Sequence, residues 1–446
     1  MDVEIISKEF IKPSSSLAIS NQFEPFRLSL LDQIFPTYYF PIILFYPATN
    51  ALFKGAQIST QLKTSLSQTL STFYPFSGRL KANLVIDSYE EGVPYIESRV
   101  KGCLSEFLRH PQLELLNQLL PCQPFSYVSD PEAAALVAVQ VNKFDCGGIA
   151  LGLCLSHKVI DGVSGSTFLN SWAANAQGSC IERINPDLSE ASLRFPPQDP
   201  SLLQNYISLT EKRVFKEGKY ISKRFVFDAK AIATLRAIAK SDSVENPSRI
   251  ETLSAFIWKF CMEAERVIYA SSGPFLSSLA VNIRPRTEPC LPQYSIGNLW
   301  QRGITVCHDL TDTEMGLNEL VTSIRETVTK MNADYLHTLQ GENGFRVISK
   351  SLNKMSSNNY SPKVFVFSSW LRFGFNNIDF GWGKPVWVGV TGQSGQASFN
   401  QTIFSETGVE NEIEVWMILE ENIMSIIEHD PEFLKFALPN PSVLIP

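Results

Sequence analysis

Cysteine pairs at metal-ligand spacing are missing from this chain. Its eight thiols, Cys103, Cys122, Cys146, Cys154, Cys180, Cys261, Cys290 and Cys307, include no Cys-x-x-Cys, and although Cys154 and His157 stand at a ligand-like spacing, no second pair completes a zinc site. The thiols read as reduced and mostly buried, and no metal is expected. A basic excess is also missing. With 38 Lys and Arg against 45 Asp and Glu the net charge is −7, the wrong sign for a general nucleic-acid binder, while a local basic pocket for a phosphorylated co-substrate stays open. No apolar run reaches the ~20 residues that a bilayer span needs, and Ile42 to Tyr46 is far too short. The opening Met1-Asp2-Val3-Glu4 is acidic where a secretory signal is positive, so the expected compartment is the cytoplasm. Histidine is scarce, at five in 446 residues, and there is no Gly-x-Ser-x-Gly elbow to carry a serine nucleophile.

What the chain does have is 44% apolar and 19% charged residues, the balance of an ordinary folded protein, in a length that suits two domains with a core each. Strand-like and helix-like stretches alternate without repeats, which predicts a mixed α/β fold. Pro41 to Tyr46 reads as a buried strand and Gln57 to Thr72 as a helix stopped by Phe73-Tyr74-Pro75. Ala135 to Phe144 and Ile149 to Leu155 read as strands joined by Cys146-Gly147-Gly148, with a helix over Ser164 to Ala176 behind them. Further on, Lys219 to Phe227 is strand-like, and Ala229 to Ala239 and Arg249 to Glu265 are helical. Asp309 to Leu339 reads as one long amphipathic helix with acidic residues in its first turn, and Val364 to Phe367 and Pro385 to Val390 as short strands. Three prolines in Phe195-Pro196-Pro197-Gln198-Asp199-Pro200 interrupt regular structure, predicting a crossover linker at 190–208 between domains at 1–189 and 209–446.

His157 stands just past a strand end in Ser156-His157-Lys158-Val159-Ile160-Asp161-Gly162. An imidazole, with an unperturbed pKa of about 6.5, can accept a proton at neutral pH and return it within one turnover. On position and rarity alone, a structural histidine at a strand end reads equally well. Asp161, four residues on, invites a triad in which a carboxylate orients the base. A second feature is Asp379-Phe380-Gly381-Trp382-Gly383, followed by Lys384-Pro385, a combination hard to reach by drift of composition. Taken alone, it reads as a loop aspartate with glycines serving turn geometry.

These two stretches, with Ile283-Arg284-Pro285-Arg286, resemble the plant BAHD family of acyl-CoA-dependent acyltransferases. The likeness continues through Leu30-Leu31-Asp32-Gln33, Phe73-Tyr74-Pro75-Phe76-Ser77-Gly78-Arg79, Phe144-Asp145-Cys146-Gly147-Gly148 and Ser295-Ile296-Gly297-Asn298-Leu299. Ser7-Lys8-Glu9 with Lys12-Pro13-Ser14-Ser15 looks most like the vinorine synthase-type branch, whose members acetylate alkaloid alcohols. The resemblance implies an α/β fold of two chloramphenicol acetyltransferase-like domains with a channel at their interface. It implies that His157 is the base for direct attack of an alcohol on the thioester, with an acyl-serine path as the alternative. Asp161 is implied to turn away and pair with Arg284, and Asp379, Gly381, Trp382 and Gly383 to support structure without moving protons. Ser368-Ser369-Trp370 matches the family's Ser/Thr-x-Trp segment, so Ser368 and Trp370 are candidate oxyanion donors, with Asn298 near the reaction centre; for Trp370 a buried aromatic is the alternative. Arg249 and Ser254 match the CoA-side segment, where solvated helix-start residues would look alike. Phe35, Tyr38, Tyr39, Phe399 and Phe404 are candidates for the acceptor pocket, as ordinary core aromatics also would be.

Together these features point to a cytoplasmic, monomeric acyltransferase with no permanently bound cofactor and no nucleic-acid or membrane partner. Its co-substrate is expected to be acetyl-CoA or another short acyl-CoA, and its acceptor a hydroxyl of a bulky alkaloid, terpenoid or phenolic. Thirty phenylalanines favour an apolar pocket over a sugar site. Two other readings are an N-acyltransferase or aromatic-acyl user of the same fold, and a non-catalytic binding protein that keeps it.

Overall fold

Short apolar runs of β-branched and aromatic residues build two mixed sheets in the computed structural model, which describes residues 1–14, 23–48, 55–178, 184–269, 274–307, 315–356, 362–392 and 397–443. In chain order the strands are β1 (Val3–Ile11), β2 (Tyr39–Tyr46), β3 (Val93–Val100), β4 (Val137–Phe144), β5 (Ile149–Ser156), β6 (Tyr220–Phe227), β7 (Phe275–Asn282), β8 (Trp300–Cys307), β9 (Lys363–Ser369), β10 (Trp387–Gly389), β11 (Gln401–Glu406), β12 (Ile413–Glu420) and β13 (Leu438–Pro439). The helices that matter below are α1 (Leu30–Gln33), α2 (Gly55–Thr72), α3 (Gly162–Gln177), α4 (Glu190–Arg194), α5 (Pro200–Val214), α6 (Arg249–Tyr269), α7 (Leu317–Thr329) and α8 (Ala333–Leu339).

The first sheet has the order β1-β3-β4-β5-β2-β10 and the second β8-β7-β9-β11-β12-β6-β13. Both mix directions: β3 runs parallel to β4, and β9 parallel to β7 and β11, among otherwise antiparallel pairs. β5 is buried along its whole length, which explains why Ile149–Ser156 shows a continuous apolar run without alternation. The strand therefore delivers its C-terminal end, and His157, into the interior.

The two halves share a strand. β10 comes from the second half of the chain yet pairs antiparallel with β2 of the first sheet, Trp387 opposite Phe45 and Gly389 opposite Ile43. Its Trp387 stacks on Trp416 of β12, ring centroids 5.7 Å apart, so the same strand is also held by the second sheet. Beneath these rings lies the buried Glu414. It accepts hydrogen bonds from Trp387 Nε1 at 3.2 Å, Trp416 Nε1 at 2.8 Å and Arg224 Nε at 2.5 Å. A buried carboxylate is tolerated there because a guanidinium and two indoles replace its water.

The proline-rich stretch interrupts regular structure at 195–199, between α4 and α5; Pro200 opens α5 at a position where a missing N–H costs nothing, with Asp199 Oδ1 accepting from Ser201 N at 2.9 Å. One expectation changes. The single long helix over 309–339 is two helices, because Asn332 caps a new start by accepting the Tyr335 N–H at 3.0 Å. The acidic first turn expected there falls in 308–314, outside the described residues, as do Cys180 and Ser15. No helix among the described residues is long and apolar enough to cross a membrane.

Candidate active site

Past Ser156 the chain leaves β5 with the His157 N–H donating to the Tyr38 carbonyl at 2.8 Å. Val159 and Ile160 then bury completely, and Asp161 caps α3, its Oδ1 accepting the Ser164 N–H at 2.8 Å. The same carboxylate meets Arg284 in a two-pronged pair, Nη1 to Oδ2 at 2.7 Å and Nη2 to Oδ1 at 3.1 Å, and Oδ2 also accepts the Leu299 N–H at 3.2 Å. Arg284 Nη2 donates to the Ser295 carbonyl at 2.7 Å as well. Both side chains are buried, at 4% and 5% exposed. The Asp161 oxygens are thus occupied by groups other than the imidazole, and a triad of the serine-hydrolase kind does not form.

The group that does hold His157 is Asn298. Its Nδ2 donates to the carbonyls of His157 and Lys158 at 2.8 and 2.9 Å, which fixes the orientation of the amide because carbonyl oxygens can only accept. Its Oδ1 consequently faces His157 Nδ1 at 3.0 Å and also accepts from Trp300 Nε1 at 3.3 Å. In the neutral ring Nδ1 therefore carries the proton and Nε2 is left bare, the tautomer a base requires. Rings close around the imidazole, with centroids of Phe35 at 4.6 Å, Phe40 at 5.1 Å, Tyr38 at 5.3 Å and Trp300 at 6.0 Å. Burial pushes the His157 pKa from 6.5 down to about 4; the Asp161 charge opposes this, and nearby Arg302 adds to it. At neutral pH the ring is uncharged.

Of the expected acceptor-pocket residues, Phe35, Tyr38 and Phe399 come together, joined by Phe215, which also packs on Tyr38 at 5.7 Å. Tyr39 and Phe404 do not join them. Tyr39 alternates to the opposite face of β2, where its hydroxyl donates to the Ala135 carbonyl at 2.6 Å, and Phe404 is fully buried against Phe367 in the core of the second half. Trp370 lies 6.2 Å from Phe40, one ring removed from His157. Ser368 shares a β9 face with Val366, which packs toward the first half, whereas Phe365 and Phe367 pack into the second core. Asn298 lies against His157, with both ends of its amide engaged by the histidine loop.

Five residues along a helix turn Arg249 and Ser254 about 140° apart; Arg249 is half-buried in the first turn of α6, while Ser254 is fully buried, its hydroxyl without a hydrogen-bond partner among the described residues. The aspartate motif lies elsewhere. Asp379 Oδ1 accepts the N–H groups of Gly381 and Gly383 at 2.7 and 2.9 Å, closing a turn in which both glycines have φ above +100°, a conformation side chains resist. Phe380 stacks on Trp382 and meets Trp172 of α3, and Gln61 of α2 donates to the Phe380 carbonyl at 3.0 Å, so the motif docks β10 onto the first half. Sequence reasoning missed Phe40, Trp300 and Lys158. Lys158 is buried and its Nζ donates to the carbonyls of Gln33 and Phe35 at 2.9 and 2.8 Å, with burial pushing its pKa down to about 7. Nothing in a lone lysine after a histidine signals this, and Trp300 opens β8 just after Asn298, which lies outside the strand, so no alternation links the two.

Residues 1–434 match the model of the Transferase family. Akuammiline synthase 2 of Alstonia scholaris is 36% identical over 447 residues, covering 99% of this chain and 98% of its own length. An epi-neemfruitin B 7-O-acetyltransferase of Melia azedarach is 36% identical over 457 residues, covering 99% and 100%. Among solved structures, the crystal structure of vinorine synthase superposes with a TM-score of 0.82 at 29% identity, covering 99% of this chain and 100% of that one.

Asp161→Asn and Arg284→Met should each destabilise the protein by about 3–5 kcal/mol, because either leaves a buried charge unpaired. In a double-mutant cycle the double variant should lose far less than the sum; additive losses would show that the two side chains act independently. Titrating the His157 ring by NMR should give a midpoint near pH 4, and a midpoint at 6.5 would contradict the buried, neutral base. The sign for stability follows. An unfolded chain binds a proton at this residue below about pH 6.5 that the folded protein refuses until about 4, so the contribution of His157 is full above 6.5 and is lost as pH falls between those values.

Proposed function

The chain belongs to the Transferase family, the BAHD acyltransferases that its motifs resemble, and from that premise we propose that it transfers an acyl group from acyl-CoA to a hydroxyl of a bulky plant specialised metabolite. The observation that carries this reading is the bare Nε2 of His157, enforced by the Asn298 contact at Nδ1 and enclosed by aromatic rings. Nε2 takes the proton of the acceptor hydroxyl as its oxygen attacks the thioester carbonyl. The C–S bond then breaks, and the imidazolium returns the proton to the departing thiolate. A pKa near 4 leaves the resting base free and makes the imidazolium a strong donor to that thiolate.

Trp370 Nε1, with Ser368 beside it, is our candidate donor for the tetrahedral oxyanion. Phe35, Tyr38, Phe215 and Phe399 are candidates to bind the apolar body of the acceptor, an alkaloid, terpenoid or phenolic. The Melia relative's name specifies O-acetylation, which favours a hydroxyl over an amine and acetyl-CoA over a longer donor. Arg249, at the start of α6, remains a candidate for the coenzyme side. Action as a cytoplasmic monomer completes the proposal.

His157→Ala should lower turnover by about 10²–10⁴-fold, the worth of a general base. Isothermal titration should show acyl-CoA binding retained, because the imidazole is assigned to proton transfer and not to holding the coenzyme. A variant that turns over like the parent would contradict the assignment.

A further inference from the structure

Leu30-Leu31-Asp32-Gln33 and Ser295-Ile296-Gly297-Asn298-Leu299 take no direct part in the chemistry above, yet the structure presses them together. The first forms α1, a single turn capped by Ser29. Asp32 Oδ2 accepts the Ser29 N–H at 2.9 Å and the Ser29 hydroxyl at 2.6 Å, which by itself would be an ordinary capping box. A cap exposed to water would leave the other oxygen solvated. Here Asp32 is completely buried, and Oδ1 accepts the backbone N–H of Asn298 at 2.7 Å. The approach is made through a glycine turn: Gly297 has a φ of +136°, a backbone conformation that side chains resist.

The same short turn is tied to the histidine loop from its other side. Lys158, the neighbour of His157, holds the carbonyls of Gln33 and Phe35, and the Phe35 ring lies 4.6 Å from the imidazole. A closed circuit results. It runs from Asp32 to the Asn298 backbone, from the Asn298 amide to His157 Nδ1 and to the carbonyls of His157 and Lys158, and from Lys158 Nζ back to α1. Asn298 cannot move off His157 while Asp32 grips its N–H.

We propose that Asp32 is a positioning residue for catalysis, which sets the tautomer and tilt of His157 through Asn298 in the role that a triad carboxylate fills by direct contact. This rests on His157 being the base, but its key readout does not. In the full chain labelled with ¹⁵N-histidine, the His157 ring signals are those missing from His157→Ala, and the parent should show Nδ1 protonated and Nε2 bare. Asp32→Asn keeps the shape but offers one acceptor oxygen where two are needed. It should give a mixture of His157 tautomers and a kcat lowered by about 10²-fold, the cost of a small misplacement of a reacting group, with KM for acyl-CoA unchanged. Ser29→Ala, which removes a cap hydroxyl and leaves both Asp32 oxygens in place, should lower the melting temperature with tautomer and kcat unchanged. Should Asp32→Asn fail to fold, Gly297→Ala, which strains the positive-φ turn that presents the Asn298 N–H to Asp32, carries the same expectation. A parental tautomer or kcat in the tested variant, or an equal loss of kcat in Ser29→Ala, would overturn the proposal. If His157→Ala stays active while the tautomer still follows Asp32, the base assignment fails and the positioning circuit stands.

Discussion

The buried pair between Asp161 and Arg284 is the constraint on which the site depends. It joins residues 123 positions apart, closing the histidine loop of the first half onto the Ser295–Leu299 segment of the second. Removing two charges from water is costly, and the arrangement holds because every oxygen and most guanidinium hydrogens find a partner, including the helix N-terminus of α3. The carboxylate is spent in doing so. It cannot also orient His157, and that task passes to an amide.

The exchange has a chemical consequence. A carboxylate beside an imidazole both orients it and stabilises its positive form, raising the pKa, whereas the Asn298 amide orients without supplying a full charge. Burial among Phe35, Tyr38, Phe40 and Trp300 then dominates, and the base rests neutral. Such a base is weak. Against an activated thioester a weak but permanently available base is adequate, and the acidity of its protonated form is useful when a thiolate must leave. On the proposed mechanism, orientation and desolvation carry more of the catalysis than basicity does.

Much of this was legible from local pattern and the rest was not, for physical reasons. The strand run into His157, the turn that follows and the helix over Gly162–Gln177 are set by residues near one another in sequence. The break at Asn332 was missed because an apolar stripe continues across both helices, and only the cap distinguishes two from one. Tyr39 and Phe404 were assigned by residue type; period-two alternation placed them on the wrong faces. The partnership of β10 with β2, and the grip of Asp32 on Asn298, join positions hundreds of residues apart and leave no periodic trace in either segment. The motif containing Asp379 signalled that something there mattered without saying that its work is docking a strand.

The central claim is that the acceptor attacks the thioester directly under a neutral His157, with no acyl group resting on the protein. Initial rates measured over a grid of acetyl-CoA and acceptor concentrations, with intact-protein mass spectrometry after mixing enzyme and acetyl-CoA alone, test it most directly. Intersecting double-reciprocal lines and an unchanged protein mass are predicted; parallel lines with an acyl adduct, and a burst of free CoA before acceptor is added, would contradict it.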